Sequence, residues 1–236
     1  MERLDIEKVR SLYENVEEVW PKDNLWHQHT KKEIERYIMQ QSFASDAYIL
    51  NAGSGGNTYG LSFRMHHVDI AENKINAYPE YSVSSIEMLP FASGLFTDVL
   101  CVGTVLNYCD ALVALSELSR VIKQNGRLIL EFESSWAFEY IRSKDFMKSV
   151  ALVKLCYFGE QYKQWIFAPA YIEKILKQVG FHITHTHRFH YISGLHYSKY
   201  QNEDVATKYT QFDAICRKIP RIKLHSSNVI FNCSKS

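Results

Sequence analysis

The sequence predicts an α/β protein with a mostly parallel sheet and helices on both faces. Three observations carry this prediction. Short apolar runs alternate with helical segments from residue 46 onward, the first run (AYILNA, 47–52) leads straight into the densest glycine cluster of the chain, and a second run (RMHHVDI) follows it closely. This alternation is typical of βαβ units, which have parallel strands and right-handed crossovers. The last strand, added after several parallel units, is expected to be antiparallel.

The length, charge and cysteine content of the chain limit the kinds of protein it can be. The chain has 236 residues, 46% of them hydrophobic, with 27 basic and 26 acidic side chains. This balance excludes the strong positive field of a protein that coats nucleic acid, so we do not expect a nucleic-acid partner. We expect a monomer or a homodimer. One domain over residues 1–236 fits the usual domain size. Five scattered cysteines without a CxxC pair indicate reduced thiols in the cytoplasm.

Neither a membrane anchor nor a signal peptide is predicted. No segment reaches the roughly 18 apolar residues that a membrane span needs, and the first twenty residues alternate charged with apolar side chains. We therefore expect a protein that does not insert into membranes.

An all-helical cap, residues 1–45, precedes the first strand. Apolar residues at three- and four-residue spacings predict a helix over 5–20, which Pro21 ends. A second helix is predicted to begin at Thr30, because Thr-Lys-Lys-Glu has the spacing of a capping box.

The rest of the chain divides into three parts. Residues 46–134 form a ligand-binding half, 135–168 are interpreted as an inserted helical lid, and 169–236 complete the sheet. The lid is proposed because the segment is rich in aromatic residues, Phe158 among them, and shows no clear strand. The predicted elements are strands at 47–52, 64–69, 97–103, 127–132, 181–191 and 228–234, a helix capped by Asp110 and stopped at Asn125-Gly126, a helix from Pro169 to Gly180, and helical character over 202–219.

The glycine turn after the first strand predicts a ligand site. Without β-carbons, a ligand can approach the backbone amides and the positive end of the next helix. Asp69 ends the second strand, where a carboxylate can accept both hydroxyls of a ribose; alternatively, it caps a helix starting at Ala71. The ribose role of Asp69 predicts a ligand that contains adenosine.

Two missing motifs narrow the kind of ligand. No Gly-Lys-Ser/Thr follows the glycines, which excludes a kinase-type phosphate loop. Gly53-x-Gly55 lacks the third glycine of the dinucleotide motif GxGxxG, which disfavours NAD.

Five segments in order extend this prediction: LNAGSGGN, HVDIAENKI, SSIEMLPF, TDVLCVGTVLNYCDA and LSRVIKQNGRLIL. Together, over about residues 47–135, they resemble the class I S-adenosylmethionine-dependent methyltransferases, particularly their small-molecule members. The resemblance implies a Rossmann-like methyltransferase fold with a seven-stranded sheet. It also implies S-adenosyl-L-methionine as cofactor, S-adenosyl-L-homocysteine as product, and methyl transfer to O or N of a small-molecule acceptor.

The resemblance also assigns cofactor-binding residues. Asp69 would hold the ribose, Ile70 would cover the adenine and Gly103 would offer backbone groups to the methionine amine. Asn51 stands where the family usually has an acid, and Ser85 where an aspartate often meets the adenine amine. A subunit that binds the cofactor without catalysing therefore stays an alternative. The full predicted set is Asn51, Gly53, Ser54, Gly55, Asp69, Ile70, Ser85, Ile86 and Gly103.

The acceptor is expected between the helical cap and the lid. His29 and Tyr108 are the candidates for a base or acceptor anchor. The other candidate substrate residues are Tyr13, Trp20, Trp26, His27, Asn107, Trp136 and Tyr140. Methyl transfer to RNA or protein is a weaker alternative, as is an NAD(P)-dependent oxidoreductase based on the Tyr140-xxx-Lys144 spacing.

Two further clusters are interpreted as structural. On one strand His185 and His187 share a face while His182 and His190 take the other, so no metal site is predicted. The basic residues between Arg217 and Lys223 are expected to form a solvated face.

Overall fold

The computed structural model describes residues 4–157 and 160–236, with no side chain described between 155 and 160. Its helices and strands are α1 (Ile6–Asn15), α2 (Leu25–Met39), β1 (Tyr48–Ala52), β2 (Arg64–Asp69), α3 (Glu72–Ile75), β3 (Tyr81–Val83), β4 (Phe96–Cys101), α4 (Ala111–Val121), β5 (Ile122–Glu133), β6 (Val150–Tyr157), β7 (Glu160–Phe167), α5 (Pro169–Gln178), β8 (Phe181–Phe189), α6 (Ile192–Tyr200), α7 (Glu203–Tyr209), α8 (Asp213–Cys216) and β9 (Asn228–Lys235). Short 3₁₀ helices span Val105–Tyr108, Phe138–Tyr140 and Thr210–Phe212.

The predicted α/β architecture is confirmed. Seven strands form one sheet in the order β3-β2-β1-β4-β5-β9-β8. The pairings from β3 to β5 are parallel, and β9 runs antiparallel to both of its neighbours, β5 and β8. The carboxyl ends of β1, β2 and β4 therefore meet at one edge of the sheet.

The central strands of the sheet are buried on both faces. Successive residues of a strand point to opposite faces, so Leu50 packs into the core beneath α4 and α5 while Ile49 packs against α2. Both side chains are fully buried. Strands covered on both faces are apolar nearly throughout, which is why β1, β4 and the second half of β5 were recognisable as apolar runs.

The helix α4 begins as predicted and ends earlier. The Asp110 carboxylate accepts the amides of Leu112 and Val113 at 3.0 and 3.2 Å, which satisfies two donors of the first turn. At the other end, Gly94 and Leu95 donate their amides to the carbonyls of Arg120 and Val121. Because this loop satisfies those carbonyls, the chain enters β5 at Ile122, before the predicted stop at Asn125-Gly126.

The helical cap differs from the prediction in both of its helices. The first ends at Asn15 instead of reaching Pro21, and Val16 is extended. Lys74 holds this extended segment by donating to the Val16 carbonyl. The second begins at Leu25, because Asn24 accepts the His27 amide at 2.8 Å. The predicted start at Thr30 is therefore wrong.

The predicted helical lid is also wrong. Residues Val150–Tyr157 and Glu160–Phe167 form an antiparallel hairpin, which pairs from Val150↔Phe167 to Tyr157↔Glu160. Within the described part of 135–168, the only helix is the single turn Phe138–Tyr140. Phe158, which counted toward the lid, lies outside the described residues.

The state of the cysteines and the character of the helices were also predicted from the sequence. Cys101, Cys109, Cys216 and Cys233 are free and buried, while the side chain of Cys156 lies outside the described ones. Among the described residues, no helix combines the length and apolar character needed to cross a membrane.

Candidate cofactor site

A cleft lies at the carboxyl edge of the sheet, where β1, β2 and β4 end. The turns after these strands and after β3 line it, and α1 lies across it through Ile6, Val9 and Tyr13. Of the nine predicted cofactor-binding residues, seven line the cleft: Gly53, Gly55, Asp69, Ile70, Ser85, Ile86 and Gly103.

The glycine loop after β1 is shaped by its backbone. Gly53 and Ser54 both donate their amides to the Val68 carbonyl, at 2.8 and 3.0 Å, which ties the loop to the end of β2. Gly53 has φ +72°, and a β-carbon added there would lie 2.4 Å from the methyl groups of Val105. Only glycine fits this position, and its bare backbone forms part of the cleft wall.

Asp69 joins the loop to the second strand. Its Oδ2 accepts the Gly55 amide at 2.8 Å, and its Oδ1 accepts the Ala71 amide at 3.0 Å. Burial raises the pKa of this carboxyl, while these backbone bonds lower it. A carboxylate has about four acceptor positions, so capacity remains for the hydroxyls of a ligand. Asp69 therefore binds the start of α3, as the alternative interpretation holds, and also faces the cleft.

Asn51 and Ser54 lie beneath the loop and do not line the cleft. Asn51 is buried and donates through Nδ2 to the Asn57 carbonyl at 2.6 Å. The Ser54 hydroxyl accepts the Gly56 amide at 3.2 Å and contacts Nδ1 of His67 at 3.1 Å. Both residues hold the loop in shape, which differs from the cofactor contact expected of them.

Glu131 is a functional residue that the sequence analysis missed. Its Oε2 accepts the amides of Gly103 and Thr104 at 2.9 and 2.7 Å, and its Oε1 accepts Nδ2 of Asn228 at 2.7 Å. Burial raises the pKa of this carboxyl. Glu131 thus fixes the loop after β4 from within the sheet. The available signal was a carboxylate inside the apolar run RLILEF, since unpaired carboxylates are rarely buried.

Aromatic residues of the cap and of the loop after β4 meet over the cleft. Tyr13 and Tyr108 both line it, with their rings edge to face at 6.1 Å and hydrogen-bonded through their side chains. Burial, followed by the neighbouring Tyr108 and Asp69, holds the pKa of Tyr13 well above its usual value. The Trp20 ring comes within 3.4 Å of where a β-carbon on Gly103 would lie, so Trp20 flanks this loop.

Three predicted residues on α2 lie away from the cleft. Trp26 stacks on His190 at 3.9 Å between ring centroids, and the His27 amide donates to the N-cap residue Asn24. Burial lowers the pKa of His27 to about 4. His29 lines a separate cavity with Glu33 and Arg217. Trp26 and His29 therefore lie on the side of α2 that faces His190 and α6 to α8, and the placement of His29 does not support its predicted role as base.

Three further predicted substrate residues, Asn107, Trp136 and Tyr140, do not line the cleft. Asn107 is fully buried, donates to the Trp165 carbonyl at 2.6 Å and accepts the Glu133 amide at 3.0 Å. It fastens the loop after β4 to β5 and β7. Tyr140 packs against the hairpin, and neither Tyr140 nor Trp136 lines the cleft.

The histidines of β8, and Arg217 among the basic residues from Arg217 to Lys223, contact neighbouring side chains of the fold. Nδ1 of His185 lies 2.9 Å from the Tyr37 hydroxyl, and Nε2 of His187 lies 3.5 Å from Glu33. Across residues 4–157 and 160–236, no three His, Cys, Asp or Glu side chains are grouped to hold a metal ion. Arg217 contacts the His187 ring at 3.3 Å, so part of the basic cluster packs against β8.

Comparison with known proteins agrees with this geometry. Residues 44–130 match the family model described as a methyltransferase domain. An uncharacterised protein of Methanocaldococcus jannaschii is 28% identical over 138 residues, which cover 53% of this chain and 54% of that protein. A ubiquinone/menaquinone biosynthesis C-methyltransferase of Geotalea uraniireducens is 32% identical over 81 residues, 32% of this chain and 34% of that enzyme. The matches thus span about half and a third of these relatives.

Solved structures share the whole fold. Geranyl diphosphate C-methyltransferase from Streptomyces coelicolor, crystallised with S-adenosyl-L-homocysteine, superposes with a TM-score of 0.60 at 11% identity, covering 98% of this chain and 97% of that one. The sheet order, the cleft and these matches define an α/β protein of the Rossmann-like methyltransferase fold. Residues 44–130 match the methyltransferase domain model, and the two helices of the cap and the hairpin lie outside the matched residues.

Proposed function

We propose that the chain binds S-adenosylmethionine in this cleft and transfers its methyl group to O or N of a small-molecule acceptor. The observation that carries the proposal is the pairing of the glycine loop with Asp69 on the neighbouring strand, at the edge where open α/β sheets bind ligands. The family match over residues 44–130 and the cofactor product bound to the Streptomyces enzyme support it.

The residues present fit such a cofactor. Gly53 and Gly103 leave bare backbone where a side chain would intrude, and Asp69 retains acceptor capacity for ribose hydroxyls. Ile70 and Ile86 give an apolar lining suited to a flat base. The cofactor, when bound, supplies a methyl group activated by a sulfonium.

The chain's own contribution is to position the reactants and exclude water. Through Ile6, Val9 and Tyr13, α1 closes the cleft with mostly apolar surface, and methyl transfer from a cation is favoured in a site poor in water. Because the pKa of Tyr13 lies well above its usual value, its phenol stays protonated at neutral pH. Tyr13 and Tyr108 therefore serve as hydrogen-bonding anchors beside the cofactor.

The alternative of a cofactor-binding but inactive subunit rests on Asn51 and Ser85. Asn51 faces the loop backbone and not the cleft, so an amide at this position removes no carboxylate from the cleft wall. The placement of Asn51 favours the enzyme, whereas Ser85 lines the cleft and presents a hydroxyl where an aspartate was expected. Binding of cofactor without turnover of any acceptor would favour the subunit.

Replacement of Asp69 tests the proposal. In Asp69→Asn and Asp69→Ala, loss of charge-assisted hydrogen bonds to the ribose should weaken S-adenosylhomocysteine binding at least about tenfold, measured by calorimetry. Asp110→Asn is the matched control, because asparagine also caps helices and Asp110 lies outside the cleft wall. Circular dichroism verifies that each variant is folded. Unchanged affinity in folded Asp69 variants would refute the assignment.

A further inference from the structure

A second cavity lies beside the cleft, between α1 and the hairpin β6–β7. Leu4, Val9 and Leu12 give it an apolar wall, and Tyr108 and Tyr162 add aromatic surface. Val9 and Tyr108 line both the cleft and this second cavity. A molecule in the second cavity therefore contacts residues that also line the cofactor cleft.

Tyrosines form the boundary between the two spaces. The rings of Tyr13 and Tyr108 meet edge to face at 6.1 Å, and Tyr162 is close enough to Tyr13 to affect its titration. Tyr162 itself is buried on β7 and lines the second cavity. The wall between the cofactor cleft and the second cavity thus includes tyrosine hydroxyls that can donate or accept hydrogen bonds.

The rim of the second cavity is positively charged. Lys8 comes from α1, and Lys154 and Lys163 come from the two strands of the hairpin. Among the described side chains that line the cavity, the acidic one is Asp5, which accepts the Lys8 amide at 3.2 Å as the N-cap of α1. Lys8 also spans the cavity by donating through Nζ to the Gln161 carbonyl at 3.1 Å. Three ammonium groups around an apolar wall favour an anion with an apolar body.

We infer that this second cavity is the acceptor site and that it takes a small amphipathic organic anion. The apolar body would pack on Leu4, Val9 and Leu12, and its carboxylate, sulfonate or phosphate would lie at the lysine rim. This orientation directs the remaining end of the molecule toward Tyr108 and the cofactor cleft. The inference rests on the proposed function for its link to methyl transfer, whereas binding of the anion does not depend on it.

The fluorescent anion 8-anilinonaphthalene-1-sulfonate is the probe that tests this inference. Its affinity is measured by fluorescence titration in the wild type and in Lys154→Gln/Lys163→Gln. Loss of two charges at a partly solvated rim should weaken binding about fivefold or more. The matched control, Lys174→Gln/Lys177→Gln, removes the same charge from the exposed face of α5 and should bind as the wild type does. The neutral analogue N-phenyl-1-naphthylamine should show no lysine dependence.

A filled cavity provides a second variant. Leu12→Trp places a larger side chain in the apolar wall and should reduce probe binding without any change of charge. Equal probe affinity in the wild type, the rim variant and Leu12→Trp would overturn the inference, as would an equal loss in the α5 control. S-adenosylhomocysteine titration of the same proteins separates the two proposals. Retained cofactor binding with lysine-independent probe binding refutes only the acceptor site, and absent cofactor binding refutes the proposed function.

Discussion

Two buried carboxylates fix the two loops that form the cleft. Asp69 accepts the Gly55 amide at 2.8 Å, and Glu131 accepts the Gly103 amide at 2.9 Å. In each case a strand residue holds a glycine of a neighbouring loop, so the loop backbone is ordered before any ligand arrives. Preorganised backbone of this kind lowers the cost of ordering that binding would otherwise incur.

Gly53 gives a residue-scale prediction. In Gly53→Ala the new methyl group meets Val105 at 2.4 Å, and the positive φ of +72° adds backbone strain of about 1–2 kcal/mol. The loop must move, so we expect a lower unfolding temperature and at least about tenfold weaker binding of S-adenosylhomocysteine. Thermal unfolding and calorimetry measure the two effects.

Gly94→Ala is the matched control for this variant. Gly94 also has a positive φ, +64°, but a β-carbon there meets no atom within 4 Å among the described residues. This variant should lose stability through the backbone alone and keep the cofactor affinity of the wild type. Equal cofactor affinity in the two variants would show that the loop tolerates a side chain at 53.

At the scale of elements, the positions of the central strands and the starts of two helices were predicted correctly from nearby residues. The apolar runs located the central strands, Asp110 located the start of α4, and Pro169 located the start of α5. The antiparallel last strand was also predicted correctly. The strand positions and helix starts are determined by residues within the element or next to it, whereas the direction of the last strand followed from the order of the elements along the chain.

The errors arise where tertiary contacts decide the element. The hairpin has buried residues on both faces of β7, from Gln164 to Phe167, so the alternation that reveals a half-buried strand is missing. Thr30 has capping-box spacing, yet its hydroxyl bonds the Trp26 carbonyl at 3.0 Å within a helix that Asn24 already caps. The sequence predicted a helix in this region but not the elements that pack against it, which is why His29 was expected near the acceptor and instead lines a cavity with Glu33 and Arg217.

The cap of α4 gives a prediction at this scale. Asp110→Ala removes the acceptor of the Leu112 and Val113 amides and should lower the free energy of unfolding by about 1 kcal/mol. Urea denaturation measures this loss. Asp46→Ala, which removes a carboxylate from an exposed turn before β1, should have little effect. Equal stability of Asp110→Ala and the wild type would show that the cap contributes nothing.

At the scale of the whole molecule, buried carboxyls make stability depend on pH. Burial, with Glu139 and Glu131 nearby, raises the pKa of Glu133 to about 8, and burial raises that of Glu139 to about 7. Between the ordinary value of 4.5 and these values, the folded state keeps protons that the unfolded chain has released. Stability should therefore fall as pH rises through this window.

Glu133→Gln tests the pH dependence. Glutamine keeps an oxygen that can accept from Gln164, as the Glu133 carboxyl does, but it does not titrate. Between pH 7 and 8.5, the wild type should lose stability more steeply than the variant, by at most about 1.4 kcal/mol per pH unit for one proton. His27 and His67, with pKa values lowered to about 4, stay neutral there and do not obscure the difference. Urea unfolding at both pH values measures the slopes.

The control for this experiment is Glu173→Gln, which removes an exposed carboxylate from α5. It should keep the pH slope of the wild type. Parallel slopes for the wild type and Glu133→Gln would contradict the view that Glu133 is protonated in the folded protein at neutral pH.

The central claim is that the cleft at the carboxyl edge of the sheet is a site for S-adenosylmethionine. Calorimetric titration of the wild-type protein with S-adenosylmethionine, S-adenosylhomocysteine and NADH, side by side, tests it most directly. The geometry of the glycine loop and Asp69 predicts micromolar binding of the first two compounds and no heat from NADH. Binding of NADH alone, or of none of the three, would contradict the claim.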